Sequence, residues 1–484
     1  MEIKQMQELL KATDKRRNKF NHQFQHSLRY YKNENDITNR NNGESKLNEH
    51  GKDDILRSAD NRVSHNFHEL LVDQEAGYLT TVPPDIDVED NSLNTKITDA
   101  LGDEFKLRLN QLVVDAANAG VGWLHYWIDG DNQFRYGIVP PNQVTPIYSS
   151  DLNRKLIAVR RTYRQLNPND GKYFNIHEYW TDKDCTVFKS ELPNYSDLEL
   201  CENWFSIYDV SSGDETGTSS LLKHGLGKIP FIPFSKNKYE LPDLKKYKGL
   251  IDVYDNVYNG FVNDVDDIQQ VILILTNYGG ESLKEFKETL KEAHAIKVDS
   301  VGGTDKSGVD KLTIDIPVEA RNILLQSTKS DIFTYGEGID PANFKNDSNA
   351  SGTAIKMLYS TLELKAGTTE SYFTDSLNTL IRAIMNWLHI GDADSRPINQ
   401  TWHRNQVQND LEKAQAVSQV AQYSSDEAVA KANPIVDDWQ QELKDRQDDI
   451  VKRDGYDDPN VLEGIGPNQE DDDQHKEDDD DNNK

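Results

Sequence analysis

Residues 249–278, GLIDVYDNVYNGFVNDVDDIQQVILILTNY, decide the architecture. Apolar side chains recur at Leu250, Tyr254, Val257, Phe261, Val265, Ile268, Ile272 and Leu275, in steps of three and four. That is the period of one helix face. The rest of the surface carries Asp252, Asp255, Asp264, Asp266 and Asp267. At about 1.5 Å per residue the segment predicts a rod roughly 40 Å long, stopped by Gly279-Gly280. A carboxylate-rich rod with one apolar stripe packs on one side and meets water elsewhere.

A second long stripe follows at Ile355, Tyr359, Leu362, Ala366, Thr369, Phe373, Leu377, Leu380, Ile384 and Leu388. It predicts a helix of about 50 Å. Gly367 near its middle weakens the helix by around 1 kcal/mol, so a kink is expected there. Between the stripes lie a charged helix at Glu281–Ala295 and strand-like pieces at Ile296–Val298 and Lys311–Ile316. A helix over Pro317–Tyr335 comes next, its Pro at the start where a missing donor does no harm. The loop 336–351, GEGIDPANFKNDSNAS, is rich in small and turn-forming residues.

Upstream, residues 1–80 read as helix with a polar break at Asn39–Gly51. Phe67, Leu70, Leu71 and Tyr78 keep helical spacing until Val82-Pro83-Pro84 ends the run. Another helix is expected over about Leu101–Ala119, ending at Gly120. The texture then changes. Val121–Ile128, Phe134–Val139, Leu156–Tyr163, Lys172–Trp180, Thr186–Lys189 and Trp204–Val210 are short, β-branched and aromatic, and turn formers separate them. They predict an antiparallel sheet or small barrel. Residues 211–220 read as a loop, 224–235 as an extended segment, and 404–455 as two or three polar helices.

The 484 residues suggest about three structural units. Adjusted for Gly and Tyr, the apolar share is about 37–38%, below the 45–50% of ordinary globular chains. Solvated rods and a polar tail account for that. The 54 Lys and Arg against 83 Asp and Glu give a net charge of −29. Residues 1–40 nevertheless carry a net +4, while 405–484 carry −15 and end in an acidic run from Glu470 that reads as disordered.

No apolar run is long enough to span a membrane, and the N-terminus lacks the apolar core of a secretory signal. Cys185 and Cys201 fit a reducing compartment, as two thiols rather than one bridge. No Walker A, GxSxG, HExxH or Rossmann pattern is present. Asp129-Gly130-Asp131-Asn132 reads as a hairpin turn, not a calcium loop, and His22/His26 as a solvated helix face. Asp266-Asp267 lack a catalytic partner. No catalytic, cofactor or metal site is expected.

Three passages in order carry a resemblance: NRVSHNFHELLVDQEAGYLTTVPP (residues 61–84), HGLGKIPFIPFSKN (224–237) with GLIDVYDNVYNGFVNDVDDIQQ (249–270), and GIDPANFKNDSNASGTAIKMLYSTLELKA (338–366). Over about residues 20–455 the chain resembles the SPP1-like portal proteins of tailed phages. The resemblance implies an α+β, mainly α portal fold, with long stem helices, an α/β wing, a small α/β clip and a helical crown, assembled as a ring of about twelve copies. The wing would be residues 1–248, the first stem helix 249–278, the clip 279–316, the second stem helix 317–335, the tunnel loop 336–352, the kinked tunnel helix with more wing 353–403, the crown 404–460 and the acidic tail 461–484.

Such a ring sits in the virion at one capsid vertex, after assembly in the host cytoplasm, and passes double-stranded DNA. Asp340, Asn343, Phe344, Lys345, Asn346 and Ser348 of the loop and Lys329 of the second stem helix would face that DNA. Glu281, Lys284 and Lys287 of the clip would dock the terminase large subunit and later the head-tail connector. Major capsid and scaffolding proteins are further implied partners; a membrane is not. Helices about 10 Å apart around a hole wider than a duplex number eleven or twelve, consistent with the ring. An acidic wall also repels phosphates, which lets DNA slide. The competing expectation is a non-enzymatic head-completion or adaptor protein.

Overall fold

The computed structural model describes residues 1–39, 59–167, 171–208, 215–268, 272–276, 308–312, 317–342, 352–405, 410–436 and 439–455. The chain divides into one unit of residues 1–348 with 357–406 and another of 349–356 with 407–484.

The larger unit begins with α1 (Ile3–Tyr31). Its Met6 and Leu10 pack against Phe188, Tyr195 and Leu198. An extended stretch, residues 59–66, leads into α2 (Phe67–Thr80) and the short β1 (Asp85–Asp87). The helix expected near 101–119 forms, and another precedes it. α3 (Asn91–Leu101), capped by the Asp90 carboxylate on Leu93 N–H, stops at Gly102, whose φ of 67° is left-handed; α4 (Phe105–Ala119) then ends at Gly120 as expected. Sequence reasoning missed α3 because only Leu93, Ile97 and Leu101 of its residues are buried.

Six antiparallel strands build the main sheet: β4 (Val144–Tyr148), β5 (Leu156–Leu166), β6 (Tyr173–Trp180), β7 (Asp184–Ser190), β8 (Glu199–Leu200) and β11 (Leu221–Lys223). Their order is β11-β7-β6-β5-β4, with β8 also on β7. β2 (Val121–Ile128) and β3 (Phe134–Val139) form a hairpin to which β12 (Phe231–Ser235) adds on the β2 side. The hairpin turn is held by Asp129, whose Oδ1 accepts from Asp131 N (3.0 Å) and Gln133 N (2.8 Å). β9 (Phe205–Tyr208) pairs with β10 (Glu215–Ser219), a strand where a loop was expected. Trp123, Val139, Val159, Ile176, Trp180, Val187 and Phe231 fill the core of the sheet region. Cys185 and Cys201 are both buried and free, so no bridge links them.

The first rod is shorter than expected. α5 (Leu244–Ile268) ends ten residues early, and β13 (Ile272–Thr276) pairs with β14 (Gly308–Leu312), Ile272 facing Leu312 and Thr276 facing Gly308. VILILT is a continuous apolar run that satisfies any period, and its branched side chains suit a strand. Pro317 precedes α6 (Val318–Tyr335), and α7 (Gly352–Trp387) is the longest helix among the described residues. Every described stripe position of α7 from Tyr359 to Ile384 is buried. β15 (Asn399–Thr401) closes the unit by pairing with β1.

In the smaller unit, α8 (Asp410–Val420), α9 (Asp426–Ala432) and α10 (Trp439–Gly455) realise the expected polar helices. Arg446 pairs with Asp426 at 3.2 Å, and the Lys431 ammonium sits 4.3 Å over the Trp439 ring.

Candidate functional site

The end of α6 and the loop after it form a built base. Gly336 N–H donates to Ile332 O (2.8 Å) and Gly338 N–H to Phe333 O (3.0 Å), with Glu337 left-handed at φ 56°. Gly336 and Gly338 lie directly on Leu71 of α2, and a Cβ at Gly338 would overlap Leu71 and Gln74. The Gln74 amide clamps the next residue at both backbone groups: Gln74 Nε2 donates to Ile339 O (2.7 Å) and Ile339 N–H donates to Gln74 Oε1 (2.9 Å). The Lys329 ammonium pairs with Asp340 Oδ2 at 3.0 Å, and Asp340 Oδ1 accepts from Ala342 N–H (3.0 Å). Lys246 at the start of α5 pairs with Glu337 at 2.6 Å.

Beneath this base four charges are buried together. Lys236 contacts Glu75 and lies 3.5 Å from Asp243, while Lys365 of α7 lies 3.2 Å from Glu75 and 3.0 Å from Asp243. Thr369 Oγ1 donates to Glu75 Oε1 (2.7 Å), and the Lys365 ammonium also reaches Gly336 O (3.3 Å). None of the four charged residues is more than 5% exposed. Burial alone would raise the Asp243 carboxyl, but the Lys236 and Lys365 ammoniums hold it well below the usual carboxylate range. Burial opposes the Lys365 charge in turn, yet Asp243 and Glu75 raise its pKa above that of an ordinary lysine. Two cations and two anions from α2, the segment after β12, the approach to α5 and α7 thus fix the loop base to the sheet region. Next to them, burial pushes the His68 imidazole down to about 4. The neutral ring takes Tyr247 OH at Nδ1 (2.7 Å) and gives its Nε2 proton to Asn118 Oδ1 (3.1 Å).

The polar face of α5 is occupied by partners from the same chain. Residues 61–65 run extended along it, antiparallel to the helix. Asp255 Oδ1 accepts from His65 N–H (3.1 Å), and Asp255 Oδ2 from Asn35 Nδ2 (2.7 Å). Asn259 receives Val63 N–H (2.7 Å) and donates to Val63 O (2.7 Å). Asn263 Oδ1 receives Asn61 N–H (2.7 Å), and Asp266 receives Asn61 Nδ2 (2.7 Å). The match is metric: four helical residues advance about 6 Å and two extended residues about 6.6 Å. Asp252 takes Lys248 at 2.6 Å and Tyr30 OH, and Asp264 takes Arg321. The expected stripe is correspondingly displaced. Leu250, Tyr254, Val257 and Phe261 are half-buried and Val265 exposed, whereas Tyr247, Ile251, Asp255 and Asn259 are buried.

Of the residues singled out by sequence, Lys329 and Asp340 are brought together as a neutral pair. Asn343, Phe344, Lys345, Asn346, Ser348, Glu281, Lys284 and Lys287 lie outside the described residues. α7 runs without a break through Gly367, where an added Cβ would meet open space. Sequence reasoning missed Gln74, Glu75, Lys236, Asp243 and Lys365. The Asp255/Asn259/Asn263 spacing of four was the one visible signal of the ladder. Among the described residues no group of three or more His, Cys, Asp or Glu could hold a metal ion, and no helix is long and apolar enough to cross a membrane.

The profile described as "Phage portal protein, SPP1 Gp6-like" matches residues 10–455. The portal protein of Clostridium phage phiCD119 is 37% identical over 457 residues, covering 92% of this chain and 95% of that one. The portal protein of Bacillus phage SPP1 is 28% identical over 399 residues, 79% of this chain and 75% of the relative. A chain from the neck of an empty GTA particle computed with C6 symmetry aligns at a TM-score of 0.39 and 10% identity, over 74% of this chain and 87% of that one.

Proposed function

The chain belongs to the SPP1 Gp6-like family of phage portal proteins, and from that premise we propose that it forms a ring of about twelve copies at one capsid vertex. Double-stranded DNA would be packaged, retained and ejected through the ring. α5 and α6 would be its stem, residues 279–316 with Glu281, Lys284 and Lys287 the clip that docks the terminase large subunit and then the head-tail connector, and 404–460 the crown. Residues 1–248 would form the wing, against capsid and scaffolding proteins. The tunnel loop would project Asn343, Phe344, Lys345, Asn346 and Ser348 from the base clamped by Gln74.

One observation carries this reading. The stem hairpin leaves large apolar side chains uncovered in the single chain: Ile323 at 60%, Leu324 at 45% and Val265 at 42% exposure. Covering the exposed part of each against a neighbouring copy would gain about 1 kcal/mol, roughly half of what burying such a side chain from full exposure is worth. The Lys329–Asp340 pair suits a conduit as well, because a neutralised cation offers passing phosphates little grip.

The double variant Ile323→Glu/Leu324→Glu tests the reading. It should give folded protein, by circular dichroism, that sediments as a much smaller species than wild type. An unchanged assembly would contradict the stem assignment. Deleting residues 343–348, beyond the Gln74 clamp, should leave assembly intact and lower the DNA retained per particle; loss of assembly instead would make that segment structural.

A further inference from the structure

We infer that the outward face of α1 is a second contact surface for double-stranded DNA, outside the channel. At 100° per residue, Lys4, Lys11, Lys15 and Lys19 fall within an arc of about 80°. The packed residues Met6, Leu10 and Phe24 point the opposite way. All four lysines are exposed, and their row is about 22 Å long. Arg16 flanks it, also exposed. Glu8 is the one carboxylate inside the arc; Asp14 turns inward, accepting Tyr195 OH at 2.8 Å and facing Arg160.

Lys236, Lys246, Lys248, Lys329 and Lys365, by contrast, all sit on carboxylates. Among the described residues the four of α1 pair with none. In a chain of net −29 this row is a local inversion of sign, and nothing within the fold uses it.

The form of the row selects the partner. Lysines are compact point charges, suited to phosphates in any sequence, and the arginine of α1 that shares the arc, Arg29, lies beyond the end of the row and already holds Asp36 (3.4 Å). A duplex carries one charge per about 1.7 Å of axis, so the row would face roughly a dozen phosphate charges, a density no folded acidic protein surface offers. The inference rests on the portal reading for the source of the duplex, and on nothing in the channel.

Covalently closed circular duplex DNA makes the test specific, because it cannot thread a bore. Full-length protein should retain it at 50 mM salt. The variant Lys11→Gln/Lys15→Gln/Lys19→Gln should bind at least tenfold more weakly, with the slope of log affinity against log salt reduced by about 2–3. Replacing the same residues by Arg should restore both. Unchanged affinity and slope would overturn the proposal, as would poly-glutamate competing as well as duplex of equal charge, which would make the partner an acidic protein. Electron microscopy of the same samples separates the two readings: rings without circular-DNA binding sink this inference alone, and binding without rings sinks the portal reading alone.

Discussion

α1 and α5 are both long, charged, amphipathic helices, and their polar faces have opposite fates. On α5, Asp252, Asp255, Asn259, Asn263, Asp264 and Asp266 all hold partners within the chain, four of them along one extended strap. On α1, Lys4, Lys11, Lys15 and Lys19 hold none. Charge counted along a sequence does not separate these cases. What separates them is whether another segment runs across the face at the right spacing, because a strap converts a solvated stripe into a set of buried or half-buried hydrogen bonds.

The contrast can be broken most forcefully at Lys365, the extreme of an engaged cation. Lys365→Met leaves Glu75 and Asp243 to share Lys236 alone, one buried negative charge without a counter-charge, and should cost about 3–5 kcal/mol in denaturant unfolding. A cost below 1 kcal/mol would mean the cluster is not holding α7. The pH dependence has a fixed sign. Asp243 is depressed by Lys236 and Lys365, so its contribution is complete above about pH 4 and is lost only as pH falls through its lower folded value. The gap between wild type and variant should therefore persist at pH 4. Next in size, Asn259→Ala leaves Val63 N–H and C=O without their partners and should cost about 1–3 kcal/mol, with faster hydrogen exchange at Val63. Unaltered exchange there would show that the strap does not depend on the ladder. Smallest of all, the triple Lys→Gln variant of α1 should shift stability by less than about 0.5 kcal/mol. A larger loss would place those lysines inside the fold's own interactions.

Much of this architecture was legible in the sequence, for local reasons. Branched and aromatic composition and the Asp129 turn placed β2 and β3 to the residue, Pro317 marked the start of α6, and the stripe of α7 from Tyr359 to Ile384 was read at every position. Three features were not. The end of α5 was hidden because a run of consecutive apolar residues extends any stripe. Its buried face was misread because Asp255 and Asn259 look like solvent positions until the strap is known. Lys365 was invisible because its partners, Glu75 and Asp243, come from elements about 290 and 120 residues away, and charge pairing at that range leaves no periodic trace. The loop candidates were chosen for composition, which identifies an exposed segment; the Gln74 clamp that fixes its base is a single side chain with no pattern around it.

A portal requires copies of this 55.2 kDa chain to close around a hole. End-on electron microscopy of the purified full-length protein, with its native mass, tests that directly. The prediction is a closed annulus near 660 kDa whose opening exceeds the roughly 20 Å width of a duplex; a lone 55 kDa particle, or a ring too tight to admit DNA, would contradict it.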